Sequence, residues 1–171
     1  MKLSPRYKMP FKRTREGKTD YQRRLKLLKS RKPRLVVRRS LNYITAQIVG
    51  FDKQGDKTLI SAYSRQLKKL GWKFACDNMP AAYLTGLAIG TQAVKNNIKE
   101  VVLDSGLYQS TKGNRIYAVV KGALDGGLDV HVSKEILPSD DRISGKHIAV
   151  NEKFKELPST FEKVKQLIAS G

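Results

Sequence analysis

The 171-residue sequence has few acidic residues, one cysteine and no long apolar run. It holds 15 Asp and Glu against 34 Lys and Arg, a net charge of +19. A single cysteine excludes an internal disulfide or thiolate metal cluster, which favours a reducing, intracellular compartment. The longest uncharged run, residues 78–94, is of mixed polarity, whereas a membrane span needs about 20 mostly apolar residues. The N-terminus lacks the apolar stretch of a secretory signal. We therefore predict no membrane partner.

Most of the positive charge lies in the first quarter of the chain. Residues 1–39 hold 16 basic and 2 acidic residues, and residues 40–171 hold 18 and 13. Residues 1–18 have no hydrophobic period, so we predict disorder until a partner binds. A basic helix follows, with Thr19 and Gln22 as its capping box. A charge surplus of this size attracts polyanions.

The middle of the chain alternates strand-like and helix-like segments. β-Branched and aromatic residues separated by turns predict an antiparallel meander of three strands, at 34–39, 43–51 and 57–63. The later predicted elements are a helix at 64–70, a longer helix through 84–98, a buried strand at 101–103, a helix from 114 and a strand at 128–132. Together they predict an α/β layered domain with a mixed sheet of about five strands.

Two further features concern packing and the C-terminus. Gly86 and Gly90, four residues apart, predict that the long helix lies close against the sheet. Ser159 and Glu162 predict a capping box that starts a final helix. We divide the chain into a basic arm and helix (1–33), an α/β core domain (34–132), and an irregular segment with a C-terminal helix (133–171).

The loop DSGLYQSTKGNR, between a predicted strand and a predicted helix, has the composition of a phosphate site. It offers hydroxyls, glycines and two cations near the positive end of a helix. Its residue order excludes a P-loop, which needs Gly, four residues, Gly, then Lys with Ser or Thr. These residues support two interpretations equally. The loop is either a site for a fixed phosphate or a capping loop with Thr111 or Asn114 as the cap.

The residues show no set of groups typical of a catalytic site. A magnesium-dependent nuclease would need clustered acids on central strands, but the strand at 34–39 has none. Asp104 and Asp129 lie at later strands, and His131 and His147 have no nucleophile partner in the sequence. We therefore predict that the protein is not an enzyme and uses neither metal nor cofactor.

The turn between the first two predicted strands is a second cationic feature. The segment RRSLN places guanidinium and amide groups at a hairpin tip, which suits contact with phosphates and base edges. The alternative is a solvated turn. With the N-terminal arm and the loop at 110–115, it makes three separate cationic elements. Such a spread favours a large folded RNA over a peptide or a lipid surface.

Three stretches, VRRSLNYITAQIV, DSGLYQSTKGNRIYAVVKGALDGGLDV and PSDDRISGKHIA, resemble the L-eighteen family of large-subunit ribosomal proteins, the 5S rRNA binders. The resemblance covers about residues 7–151, and the length is similar to that of archaeal members. It implies a three-layer α/β fold related to the ribonuclease-H-like sheet, without its catalytic acids. It also implies a cytoplasmic protein of the large subunit that attaches 5S rRNA to large-subunit rRNA at the central protuberance, beside neighbouring ribosomal proteins.

On this resemblance, the family's RNA-contacting segments match the arm, the hairpin tip, the loop at 110–115 and a downstream stretch. The residues expected to bind RNA are Arg6, Lys8, Lys12, Arg13, Arg15, Arg23, Arg24, Arg31, Lys32, Arg38, Arg39, Ser40, Asn42, Ser110, Thr111, Lys112, Asn114, Arg115, Arg142, Lys146 and His147. The alternatives left open are a free-standing RNA-binding or RNA-chaperone module and a metal-dependent nuclease.

Overall fold

A five-stranded mixed sheet organises the computed structural model, which describes residues 7–170. The strands are β1 (Arg34–Arg39), β2 (Ile44–Asp52), β3 (Gly55–Tyr63), β4 (Glu100–Asp104) and β5 (Asp129–Val130). Their order is β3-β2-β1-β4-β5, where β2 is antiparallel to both β1 and β3, and β4 is parallel to both β1 and β5. The α/β fold with a mixed five-stranded sheet is therefore confirmed. The prediction for β1 matches residue for residue, but β5 is shorter than predicted.

The described residues contain seven α-helices. They are α1 (Lys12–Arg15), α2 (Tyr21–Lys29), α3 (Met79–Lys95), α4 (Arg115–Asp125), α5 (Asp140–Ser144), α6 (Lys146–Ala149) and α7 (Leu157–Ser170). 3₁₀ turns occupy Ser64–Leu70, Lys134–Ile136 and Glu152–Phe154. The segment after β5, predicted as irregular, is thus mostly short helical turns. The arm, predicted to lack structure by itself, forms one exposed turn at α1.

Both predicted capping boxes are wrong. The cap of α2 is Asp20, whose carboxylate accepts a hydrogen bond from the Arg23 amide at 3.0 Å. A carboxylate also places a full negative charge at the positive end of the helix, whereas a hydroxyl is neutral. Thr19 instead accepts from the Arg13 side chain. The C-terminal helix begins at Leu157, so Ser159 lies in its first turn and donates to the Glu156 carbonyl.

One face of the sheet carries the main apolar core. Alternate residues of the central strands, such as Leu35 and Val37 in β1, are fully buried under α3 and α4. A second apolar cluster, including Trp72 and Phe161, joins α3 to α7 on the outer side. On this side, the α3–α4 pair therefore covers the sheet, and α7 covers α3. Within residues 7–170, no helix is long and apolar enough to cross a membrane.

The glycines of α3 face a helix and not the sheet, which corrects our prediction. A Cβ atom built on Gly86 would overlap the Val119 backbone carbonyl in α4, and one on Gly90 would lie 2.7 Å from the Ala123 carbonyl oxygen. Gly122 of α4 meets the α3 backbone in the same way. Glycine spacing signals a close backbone approach but does not say which element approaches.

The other face of the sheet, which we call the second face, is polar. Arg34, Val36 and Arg38 alternate along β1 with the core residues, and Asp104 ends β4 on the same side. The helix α2 lies over this face, although none of its residues is buried. Its attachment is polar: Arg23 donates to the Ser105 hydroxyl and the Gly106 carbonyl, and Arg24 to Asp56.

Candidate nucleic-acid interface

The carboxyl ends of β1 and β4 and the amino ends of α3 and α4 lie at one edge of the domain. The strands are parallel, and so are the helices, because Gly86 and Gly90 meet Val119 and Ala123 in the same order. Asn78 caps α3, accepting from the Ala81 amide at 2.9 Å, and Asn114 caps α4. The positive ends of two helix dipoles therefore point to this edge.

An open depression at this edge, which we call the edge surface, brings together residues from four distant segments. Seven of the predicted RNA-binding residues line it: Arg39, Thr111, Lys112, Asn114, Arg115, Arg142 and His147. Asp77 is the one acidic residue that lines it among residues 7–170. Cations, a hydroxyl and two helix amino ends on one open surface are groups that suit several phosphates of one polyanion.

Arg39 and Tyr108 join the hairpin to the loop that follows β4. The Arg39 guanidinium lies 5.1 Å from the centre of the Tyr108 ring, and the Tyr108 hydroxyl donates to the Arg39 carbonyl at 2.6 Å. The contact places a cation over an aromatic face while its charge remains accessible. Tyr108 was missed by the sequence reasoning, since nothing in its local sequence marks this partner.

Within the loop at 110–115, the capping interpretation is confirmed for Asn114, and the phosphate interpretation stays a prediction. Asn114 is the helix cap, and Arg115 donates to the Asp77 carbonyl at 2.7 Å and to its carboxylate at 3.0 Å. These contacts hold the start of α4 beside the start of α3. The Ser110 hydroxyl pairs with that of Tyr117. Thr111 and Lys112 are exposed, so both are accessible to a partner.

Several other predicted residues are occupied by contacts within the domain. Arg38 donates to the Asp104 carboxylate and main chain, on the second face. Arg23 and Arg24 hold α2, as described above. Ser40 closes the β1–β2 turn by bonding with the Tyr43 main chain in both directions. Lys146 pairs with Asp141 at 2.7 Å. Their roles toward RNA remain predictions.

The remaining predicted residues lie around the arm and the hairpin tip. Arg13 donates to Thr19, and Lys32 pairs with Glu100 at 2.6 Å. Arg6 lies outside the described residues. The exposed members of this group are Lys8, Lys12, Arg13, Arg15, Arg31, Lys32 and Asn42. Their accessibility is compatible with binding a partner that passes along this side of the domain.

The second face carries a buried ion network that the sequence reasoning did not find. Arg34 is only 3% exposed and donates to Asp104 at 2.8 Å and to Asp56 at 2.7 Å. Burial raises the pKa of Asp104, but Arg38, the Gly106 amide and Arg34 together outweigh burial and hold the pKa below its ordinary value. The sequence feature that could have indicated this network is the spacing of Arg34 and Arg38, which places both on one face of β1.

This network bears on the nuclease alternative. Asp104 ends a central strand, where a metal-dependent nuclease would keep a ligand, but two guanidinium groups and an amide occupy its oxygens. No group of three or more His, Cys, Asp or Glu in residues 7–170 is placed to hold a metal ion. The carboxylate of Asp104 is therefore used inside the fold, as the partner of Arg34 and Arg38.

Comparison with known proteins gives one consistent family. Residues 5–100 and 91–133 match the ribosomal large subunit proteins 60S L5 and 50S L18. The chain is 49% identical over 164 residues to large ribosomal subunit protein uL18 of Methanococcus maripaludis, covering 95% of this chain and 85% of that protein. It is 54% identical over 157 residues to uL18 of Korarchaeum cryptofilum, covering 91% and 80%.

These relatives define a ribonucleoprotein component of a structural, non-enzymatic family. The chain belongs to the L5/L18 family of large-subunit ribosomal proteins, and it is similar to the archaeal members. The resemblance described from three sequence stretches is thereby confirmed. The protein is a structural constituent of the large ribosomal subunit.

Proposed function

We propose that the protein binds 5S rRNA and attaches it to the large-subunit rRNA at the central protuberance, beside neighbouring ribosomal proteins. The observation that carries the proposal is the edge surface. It gathers seven residues from separate segments of the chain around two helix amino ends, and all seven are expected to bind RNA. The family membership supports a ribosomal RNA as the partner.

In the proposed mechanism, one set of groups supplies affinity for RNA and another set fixes the position of the RNA on the protein. Exposed cations such as Lys112 and Arg142 displace counterions from the RNA backbone, which supplies affinity. The fixed spacing of the helix ends and of Arg39 over Tyr108 selects RNA whose phosphates match it. Folded RNA is read in this way, by shape and backbone, because its deep major groove excludes side chains.

The test compares 5S rRNA with a size-matched unrelated RNA across a salt series. Wild-type protein should retain a preference for 5S rRNA at high salt. The triple variant Arg39→Ala, Lys112→Ala, Arg142→Ala should lose that preference. Its salt slope for 5S rRNA should fall by about 2 to 3, because each lost phosphate contact removes about 0.7 to 0.9. Filter binding or fluorescence anisotropy measures both quantities.

A charge-matched control separates the edge surface from the general +19 charge. Lys53→Ala and Lys99→Ala remove cations at the opposite end of the sheet, and Lys163→Ala removes one from the solvent side of α7. This control should retain the 5S preference. Equal losses in both triple variants, or equal binding of both RNAs at all salt concentrations, would refute the proposed interface.

Attachment to the subunit needs a second readout. Labelled 5S rRNA should co-sediment with large-subunit rRNA only when the wild-type protein is present, and the triple variant should reduce that fraction. A free-standing RNA-binding or chaperone module would bind RNA without joining the two molecules. Magnesium-dependent cleavage of either RNA is expected to be absent.

A further inference from the structure

The strand β3 lies at the outer edge of the sheet, and one side of it is unpaired in the part of the chain that the structure describes. β2 pairs with the other side. Among residues 7–170, no main-chain hydrogen bond joins the unpaired side to another element. The Tyr63 amide donates to the Gln66 side chain, so it points away from β2. Because main-chain groups alternate in an antiparallel pair, the Ser61 amide and carbonyl also point to the unpaired side.

A groove, which we call the β3 groove, lies beside this strand, between β3, the turn at Ser64–Leu70 and α3. Its accessible side chains are partly apolar, since Leu70 is 39% exposed and Tyr63 and Ala88 are half-buried. Leu59, on the same strand, is 46% exposed. The groove has a volume of about 310 Å³, close to the lower limit of about 300 Å³ for ligand pockets. It therefore suits one or two apolar side chains better than a large molecule.

The charge around the unpaired side of β3 is positive. Residues 57–99 contain seven cations and one acid, Asp77, which is itself in an ion pair. Lys57 on β3 and Arg65 and Lys69 on the turn are exposed, and none of them forms an ion pair with a described residue. None of the three is among the residues expected to bind RNA. A complementary partner would therefore carry acidic groups.

Main-chain chemistry distinguishes a protein segment from RNA as that partner. Ser61 presents an amide and a carbonyl, and an added strand supplies a partner for both. Phosphate oxygens accept hydrogen bonds but donate none, so they would leave the carbonyl unpaired. Ser61 lies between the core residues Ile60 and Ala62. The residue paired with Ser61 would thus face away from the core, and its two neighbours would face the side of the β3 groove.

We propose that the unpaired side of β3 binds an extended, acidic segment of another protein. The segment adds a sixth strand to the sheet and places an apolar side chain in the β3 groove, against Leu70. Its acidic residues lie near Lys57 and Lys69, at the two ends of the site. The proposal does not depend on 5S rRNA binding, because the β3 groove and the edge surface share none of their lining residues.

The first experiment measures amide hydrogen exchange, residue by residue, in the isolated protein and in purified large subunits. The Ser61 amide should exchange about tenfold more slowly, or slower still, in the subunit, because the added strand accepts its hydrogen bond. The Ala62 amide points to β2 and serves as the internal control, which should be protected in both states. An unchanged exchange rate at Ser61 would overturn the proposal.

The second experiment identifies the occupant. Leu70 is replaced by the photoreactive residue p-benzoylphenylalanine, and the protein is assembled into large subunits and irradiated. The expected product is a cross-link to a protein segment that contains acidic residues and an apolar residue and has no helical contacts of its own. A cross-link to RNA, or the absence of any cross-link, would refute the proposed occupant.

Two substitutions test the mode of binding in the same assay. Ser61→Pro removes the outward amide but no bond to β2, and proline is tolerated at such positions of edge strands. It should lower the cross-link yield about tenfold or more. Lys69→Glu leaves the main chain unchanged and should lower the yield about threefold or more. Lys163→Glu, on the solvent side of α7, is the charge-matched control and should keep the yield.

Equal yields from Lys69→Glu and Lys163→Glu would show that the charge beside the β3 groove is not recognised, which would contradict an acidic partner. A wild-type yield from Ser61→Pro would exclude strand addition. The salt-series measurements on 5S rRNA use a different surface of the protein, so a failure here leaves the proposed RNA binding intact.

Discussion

The Asp104→Asn variant is expected to lose about 3 to 5 kcal/mol of unfolding free energy at pH 7. Asparagine keeps the size of the side chain but removes the charge that Arg34 and Arg38 both contact. Arg34, 3% exposed, would keep Asp56 as its one carboxylate partner. Asp56 still offsets part of the buried Arg34 charge, so we expect the loss at the lower end of the range for breaking a buried ion pair. Urea denaturation measures the loss.

Asp129→Asn is the matched control. It makes the same chemical change on the neighbouring strand β5, at an exposed position, and should alter the unfolding free energy by no more than about 0.5 kcal/mol. Similar losses in the two variants would mean that the buried network contributes nothing specific.

The pH dependence of the unfolding free energy provides a second test of the role of Asp104. The pKa of Asp104 in the folded protein is below its ordinary value of 3.8. The carboxylate therefore stabilises the fold above about pH 4, and this contribution is lost as the pH falls through the folded-state pKa. Wild-type stability should fall below pH 4, and the Asp104→Asn variant should show a weaker decline over that range.

Gly86→Ala is expected to destabilise the protein by about 3 kcal/mol or more. Helix propensity alone predicts that this substitution would stabilise the protein, because alanine in a helix interior is favoured over glycine by about 1 kcal/mol. The added Cβ would meet the Val119 main chain, and a backbone atom cannot turn aside as a flexible side chain can. The α3 and α4 helices would have to separate along their whole contact. Thermal or urea unfolding gives the sign directly.

Gly50→Ala provides the comparison for this glycine. A Cβ at Gly50 meets the Leu59 side chain at 3.7 Å, an ordinary contact distance, so the effect should be small. A stabilised Gly86→Ala variant would show that the two helix backbones are not in close contact.

The hydrophobic pattern was sufficient to predict most elements of the fold. β1 and the turn at Ser64–Leu70 follow the prediction residue for residue, because alternation and helical spacing are local properties of the chain. The caps were missed because Asp20 and Thr19 both suit that role, and neighbouring contacts decide between them. Helix ends are therefore less predictable than helix faces.

For the sites too, local features could be predicted from the sequence and contacts between distant residues could not. The cationic elements of the edge surface were predicted separately, but their meeting at one edge depends on β1 and β4 being parallel neighbours. The Arg34 network joins residues 22 and 70 positions apart, and local spacing has no information about such pairs. The sequence therefore predicts which residues are available, and the topology decides which of them meet.

The contact between α3 and α4 also determines which motions the domain can make. Two helices that touch through main-chain atoms have no intervening layer of side chains to change rotamer, so they cannot slide past each other in steps. Residues 21–29, held by arginine hydrogen bonds and without a buried side chain, can detach and re-engage at much lower cost. If the protein attaches 5S rRNA as proposed, the helix pair would present a surface of constant shape to the RNA, and α2 would be the part able to adjust to it.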